Sequence, residues 1–249
     1  MTATAAPSVQ SAPPANRLLS PLVHRELDQL LITPGQHILD IAGTSDITTR
    51  LAALVGPTGS VTAVDQDTRH LHPTHVIDVY GQDPAIAPLP GSAAGFDGVV
   101  ASWLSALPSW PDLLAEMIIR LRPGGWLILA DITDTPLQVY RATGNEDDAK
   151  LILRVMRTIY AHTLGNGGRS ANAVDTMLIT SGMQQIRSCA SIETWNGGGT
   201  GCALLADIAT ALHDGHSDGD LDRFVELMAN PQVSVRSYAL RATHARKAN

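Results

Sequence analysis

Between His37 and Asp131, short apolar runs alternate with turns and helical patterns, and this alternation constrains the fold more than any other feature of the chain. His37-Ile38-Leu39-Asp40-Ile41-Ala42 reads as a strand, Gly43 to Asp46 as a turn and Ile47 to Val55 as a helix. A second turn, Gly56 to Gly59, leads into the strand Val61 to Val64, which runs directly into Asp65. Such a strand-helix-strand unit closes by a right-handed parallel crossover. The next crossover is short and contains Pro73, so it has room for a turn or two of helix before the strand His75 to Tyr80. A Pro-rich loop then reaches Gly95. It is followed by the strand Phe96 to Ala101, the helix Trp110 to Arg122, the turn Pro123-Gly124-Gly125 and the strand Trp126 to Ala130, which ends at Asp131. Strands alternating with helices in this way predict an α/β fold with a doubly wound, Rossmann-like sheet.

The flanks are helical. Leu18, Leu22, Val23, Leu27, Leu30 and Leu31 recur at spacings of three and four and predict a helix over Asn16 to Leu31, stopped by Pro34-Gly35. After Asp134 the pattern predicts a long helix Asp147 to Leu164, opened by the acids Glu146-Asp147-Asp148, and a Gly-rich loop to Ser170. Beyond it come a helix Ala171 to Ser181, a strand Gln185 to Trp195, helices Cys202 to Leu212 and Asp220 to Met228, and a last strand Val233 to Arg241. The division expected is a disordered leader over 1–16 and one domain over 17–249. That domain comprises a ligand-binding half (17–134), a helical lid (135–184) and late strands and helices (185–249).

Composition sets the outer limits. Hydrophobic residues at 44% and charged residues at 16% exclude disorder of the whole chain. A net charge of −7 leaves no basic surplus for phosphates and argues against a nucleic-acid partner. No run of about 18 apolar residues is present, so no membrane span is expected. The two cysteines, Cys189 and Cys202, are too few for a disulfide scaffold, read as small buried apolar residues and fit a cytoplasmic protein. The surplus of Arg over Lys, with abundant Ala, reads as the mark of a GC-rich bacterial genome.

Three acids stand at the carboxyl ends of successive strands, where open α/β sheets place their ligands. Asp40 precedes a small-residue turn that lets a ligand approach the backbone at the start of a helix. Asp65 directly follows the second strand and can grip two ribose hydroxyls. Asp83, in Gly81-Gln82-Asp83, can accept a hydrogen bond from an exocyclic amine such as that of adenine. In this order on these strands they point to an adenosine ligand.

The stretches His37–Asp46, Val61-Thr-Ala-Val-Asp65, Gly81-Gln-Asp83, Phe96-Asp-Gly-Val-Val-Ala-Ser102 and Leu121-Arg-Pro-Gly-Gly-Trp-Leu-Ile-Leu-Ala-Asp131 together resemble the ordered motifs of class I S-adenosylmethionine-dependent methyltransferases. The resemblance covers about residues 17 to 134. It implies a seven-stranded sheet with an antiparallel last strand, elaborated here by a helical insert after the fifth strand. It also implies S-adenosyl-L-methionine as cofactor and S-adenosyl-L-homocysteine as product. The implied contacts are Asp40, Ala42, Gly43 and Ser45 in the first loop, Asp65 at the ribose, Asp83 near adenine, and Ser102 facing the methyl group with Trp103; Gln66 or His70, close after Asp65, is a candidate to stack on adenine.

The first loop departs from the family pattern Asp-x-Gly-x-Gly-x-Gly. With one residue missing, Gly43 keeps the second glycine's place, while Ala42 and Ser45 stand for the first and third. A non-glycine residue at positive φ costs roughly 1–2 kcal/mol, so two outcomes stay open: a re-formed loop that still holds cofactor, or weakened binding. Methyl transfer depends mainly on positioning, and a general base is needed only for some acceptors. Substrate cover is expected from His24, Tyr140, Arg141, Tyr160, His162 and Arg169, with His162 and Tyr160 as the base candidates. His70, His72 and His75 have metal-like spacing, but Pro73 interrupts them and no acid or cysteine completes a set, so no metal is expected. Asn196 to Gly201 resembles a phosphate loop in composition only and reads as a flexible connection. The leading expectation is methyl transfer to a small-molecule acceptor of a biosynthetic pathway. A repurposed enzyme of non-methylating chemistry and a non-catalytic partner subunit are the alternatives. The apolar faces of the late helices suit either core or a homodimer surface.

Overall fold

The parallel half of the sheet forms where the alternation requires it. The computed structural model describes residues 14–91, 93–104, 107, 109–133, 136–164, 170–212 and 219–249. Its first half comprises α1 (Pro14–Leu27), β1 (His37–Ile41), α2 (Ser45–Val55), β2 (Ser60–Asp65), a single 3₁₀ turn (Thr68–His70), β3 (Ile77–Gly81), β4 (Phe96–Ser102), α3 (Trp110–Arg120) and β5 (Leu121–Thr133). β1 lies between β2 and β4, parallel to both, and its last four residues are buried. The turn Pro123-Gly124-Gly125 bulges within β5: Leu121 pairs with Phe96, but the next partners are Trp126 and Gly98. α1 stops at Leu27, earlier than its apolar pattern predicts, and leaves Leu31 83% exposed. Arg50 of α2 donates to the His24 carbonyl near that end and pairs with Asp28, as a cation at a helix C-terminus should.

The second half contains β6 (Val139–Arg141), α4 (Glu146–Leu164), α5 (Ser170–Thr180), β7 (Met183–Ser191), β8 (Thr194–Asn196), α6 (Thr200–Leu212), α7 (Gly219–Ala229), β9 (Ser234–Arg236) and β10 (Ala239–Lys247). The main sheet has seven strands in the order β3-β2-β1-β4-β5-β10-β7, with β10 antiparallel to both neighbours. A three-stranded sheet runs β6-β9-β8.

Two expectations are corrected here. The strand predicted over Gln185 to Trp195 divides into β7 and β8, which belong to different sheets, and that over Val233 to Arg241 divides into β9 and β10. The reason lies where the two segments leave one sheet for the other. Ser237 N–H donates to the Glu193 carbonyl at 2.9 Å, and Glu193 N–H donates to Ser237 Oγ at 2.7 Å, so the chain segments change sheets side by side. The insert after β5, with α4, α5 and the short β6, is therefore joined by a second insert between β7 and β10. The two are tied together by Arg223 of α7, which donates to both carboxylate oxygens of buried Asp148 on α4 at 3.1 and 2.8 Å. The Asn196–Gly201 loop of the second insert is tightly packed: a Cβ on Gly197 would stand 1.9 Å from the Asn230 carbonyl oxygen.

One core packs α1, α2, α4, α6 and α7 on one face of the sheet, and another packs α3 and α5 on the opposite face. Cys202 is buried among these side chains, and burial pushes its thiol up to about 11. Cys189 departs from the apolar reading: its partly exposed Sγ donates to Glu26 Oε1 at 3.2 Å and accepts from Arg25 Nη2 at 3.0 Å. No helix among the described residues is long and apolar enough to cross a membrane.

Asp97 holds the amino edge of the parallel strands. It is buried, accepts from the His37 N–H at 2.7 Å and pairs with Arg122 at 2.5 Å, so it joins the start of β1 to β4 and to the bulged turn. Losing a buried acceptor leaves the amide unsatisfied. Asp97→Ala is expected to lower unfolding free energy by about 2 kcal/mol, read as a lower urea midpoint with unchanged slope.

Candidate functional site

β1, β2 and β4 end together at the carboxyl edge of the sheet, and a cleft of about 290 Å³ opens there. Its polar lining comes from Asp65, Gln66, Asp67, Asp83 and Ser102; Trp103, Leu104, Leu107 and Leu113 form an apolar wall. Five residues expected at the cofactor, Ala42, Asp65, Gln66, Asp83 and Ser102, therefore line one cleft, and so does Trp103.

The loop after β1 is shaped by a close approach. A Cβ on Gly43 would lie 2.3 Å from both carboxylate oxygens of Asp40, so only glycine fits at this position. Asp40 is 1% exposed, and Thr48 Oγ1 donates to its Oδ2 at 2.6 Å. Asp40 Oδ1 has no hydrogen-bond partner among the described residues. Burial pushes the Asp40 carboxyl up to about 7, against the lowering effect of Thr48. Ala42, at the first glycine's place, does adopt φ +52°, and its N–H donates to the Val64 carbonyl at 3.0 Å. The loop thus holds an alanine in the left-handed region. Ser45 is the first residue of α2 and does not line the cleft.

Asp65 fits a diol ligand. Its Oδ1 accepts from the Asp67 N–H at 2.9 Å, while its buried Oδ2 has no partner among the described residues. Burial raises its carboxyl above the ordinary range. Asp83 Oδ1 accepts from the Ala85 N–H at 2.8 Å, which sets the turn that carries it along the cleft. Trp103, 8% exposed, is held at φ +59° with its N–H on the Ala130 carbonyl at 2.9 Å. Strain of this kind persists only where the surroundings over-determine it.

The structure places the expected substrate residues elsewhere. His24 joins α1 to α2: its Nε2 donates to Asp46 Oδ2 at 2.8 Å and its Nδ1 accepts from Arg50 at 2.7 Å. Burial pulls the Asp46 carboxyl up, but hydrogen bonds from Ser20, Thr44 and His24 outweigh it and hold the group at about 2. Tyr140 and Arg141 belong to β6, where Tyr140 Oη accepts from Arg236 at 3.0 Å and Arg141 donates to the Pro231 carbonyl at 3.3 Å. Tyr160 of α4 packs at a tilt on Tyr238, with ring centroids 5.6 Å apart, against the edge of the core. None of these four lines the cleft. The His162 side chain and Arg169 lie outside the described residues. Of the three spaced histidines, His70 is buried whereas His72 and His75 are exposed. His70 Nε2 meets the Gly43 carbonyl at 3.1 Å, a contact across 27 positions that spacing could not reveal.

No protein-family model and no curated protein matches the chain. Among solved structures, the chain is similar to the YcgJ protein of Bacillus subtilis, with 10% identity, 91% of this chain and 98% of that chain covered, and a TM-score of 0.57. It is also similar to the BH2331 protein of Bacillus halodurans, provisionally described as a methyltransferase, with 13% identity, 90% and 98% covered, and a TM-score of 0.54. With the strand order and the antiparallel β10, these likenesses show the class I methyltransferase fold.

Two predictions follow from the loop. Ala42→Gly relieves the left-handed strain and should raise unfolding free energy by about 0.5–1 kcal/mol, checked by chemical denaturation. Asp40 has a folded pKa above its ordinary 3.8, so the folded state binds a proton more tightly than the unfolded chain. The stability this proton contributes is fully present below about pH 4 and is lost as pH rises through about 7. In the absence of ligand, Asp40→Asn should flatten the pH dependence across that window. It should be more stable than wild type at pH 8 by about 2–4 kcal/mol, measured by urea unfolding at pH 5 and pH 8.

Proposed function

We propose that the protein transfers a methyl group from S-adenosyl-L-methionine to a small-molecule acceptor. The observation that carries this reading is Asp65. One carboxylate oxygen is fixed by a backbone amide, while the other is buried and unpartnered among the described residues, in a cleft it shares with Ala42, Gln66, Asp83 and Ser102. A buried carboxylate oxygen left without a donor is costly, and a ribose hydroxyl supplies one.

When bound, the cofactor supplies an electrophilic methyl group on a sulfonium sulfur. The residues of the chain bind and orient. Asp65 would accept from the ribose and Asp83 from the exocyclic amine of adenine, while the bare α-carbon of Gly43 makes room for Asp40 and so sets the turn of the loop that carries Ala42 to the cleft. Trp103 and the leucines of the cleft wall exclude water from the acceptor side. No histidine, lysine or tyrosine lines the cleft among the described residues, so these groups contribute by holding acceptor and methyl donor in line. The acidic lining, with Asp65, Asp67 and Asp83 and no cation among the described residues, favours neutral or basic acceptors over acidic ones.

That same shortage of a base supports a second reading, in which the cleft holds cofactor or substrate for a rearrangement without methyl loss. Formation of S-adenosylhomocysteine in step with product separates the two, since only the first requires it.

Calorimetric titration with S-adenosylhomocysteine tests the cofactor. Micromolar binding at one site per chain is expected. Asp65→Ala should weaken it by about 1.5–3 kcal/mol for the lost charge-assisted contact, roughly 10- to 150-fold in Kd. No binding at millimolar ligand, or equal affinity in the variant, overturns the reading.

A further inference from the structure

We propose that His70 is a positioning residue for the cofactor: it pins the loop after β1 from the segment that follows the ribose-binding acid. The inference rests on the cofactor reading above. His70 ends the 3₁₀ turn Thr68–His70, is 1% exposed, and its Nε2 stands 3.1 Å from the Gly43 carbonyl oxygen. A carbonyl only accepts, so Nε2 carries the proton. The other ring nitrogen, Nδ1, is buried without a partner among the described residues, so the contact to this one carbonyl is the hydrogen bond that orients the ring.

The loop needs such a pin. Its backbone is anchored by Ala42 N–H to Val64 of β2 and by the Thr44 carbonyl, which accepts from the Thr48 N–H and Oγ1 of α2. Between those anchors stands the Gly43 peptide, with Ala42 strained on one side and the Asp40 carboxylate against the α-carbon. The peptide is planar and trans. Fixing the Gly43 carbonyl toward His70 therefore turns the Thr44 N–H the opposite way and sets the direction of the first amide of the α2 entry.

The placement of His70 is itself tied to the ribose site. Asp67 N–H donates to Asp65 Oδ1, and the Asp67 side chain accepts from the Arg69 N–H, capping the turn that ends in His70. A chain of contacts thus runs from Asp65 to Asp67, through the turn that Asp67 caps to His70, and on to Gly43. It links the residue that meets the ribose to the loop that meets the methionyl end. The shortened crossover after β2 brings a donor under the loop where two glycines are missing.

The test compares His70→Leu, which removes the donor, with His70→Gln, whose amide can replace Nε2–H, and uses Asp65→Ala as the control. Expected is a loss of about tenfold in S-adenosylhomocysteine affinity for His70→Leu, recovered to within about threefold in His70→Gln. Affinity unchanged in His70→Leu while Asp65→Ala loses binding overturns this inference alone. Absence of binding in the wild-type chain overturns the proposed function, and this inference with it. A measurement on the unaltered protein covers the case in which His70→Leu does not fold. Long-range ¹H–¹⁵N correlation spectra should show His70 as the Nε2–H tautomer, with ring signals that move when S-adenosylhomocysteine binds. An Nδ1–H tautomer, or ring signals unmoved by bound ligand, overturns it.

Discussion

A carboxylate packed against a bare α-carbon sets the geometry on which the cleft depends. Asp40 could not occupy its buried position if Gly43 carried a side chain. With Gly43 in place, the chain turns tightly enough for α2 to start at Ser45, and Thr48 of its first turn returns to hold Asp40. The direction of α2 then decides where α1 docks, because Asp46 and Arg50 supply the partners for Ser20, His24 and Asp28. The arrangement keeps a carboxyl raised to about 7 in the core at the sheet edge and an alanine in the left-handed region beside it. Local strain next to a binding cleft is where departures from sequence rules are expected.

The parallel half of the fold was legible because its central strands β1, β2 and β4 are largely buried and read as apolar runs bounded by turn residues. Asp65 and Asp83 could be placed because an acid directly after such a run has one position available, the carboxyl edge. The one missing residue put Ala42 and Ser45 in glycine places, and of the two only Ala42 bears a positive φ. The roles given to His24, Tyr140, Arg141 and Tyr160 did not carry over to the cleft, since polarity and chain position do not specify what a side chain touches. His24 has a full set of partners between two helices, and Tyr160 is spent on an aromatic pair.

The late strands were misread for a physical reason. β10 lies between β5 and β7, yet its inward positions carry Thr243 and His244 beside small alanines, so its apolar signal is weak. Burial and the nearby arginines push His244 down to about 4, so it stays neutral inside the sheet. The more apolar Val233 to Arg241 attracts the strand reading, but its first half serves the small sheet of the inserts. β6, β8 and β9, of three residues each, are too short to show any period. Only their mutual pairing, between segments far apart in sequence, makes them strands.

The position of β10 also bears on how the molecule is made. Its partners β5 and β7 both precede it, and a second insert of two helices separates it from β7. Until β10 is synthesised, β5 presents an unpaired inner edge and β7 has no neighbour in the main sheet. Both are surfaces on which another chain could pair. Closing the sheet must also await a contact of high sequence separation, whose loop-closure entropy is met before any pairing energy is gained. The nascent chain therefore passes through a stage in which the parallel half can be folded while the other half of the sheet stays open. In that interval the molecule is most exposed to aggregation.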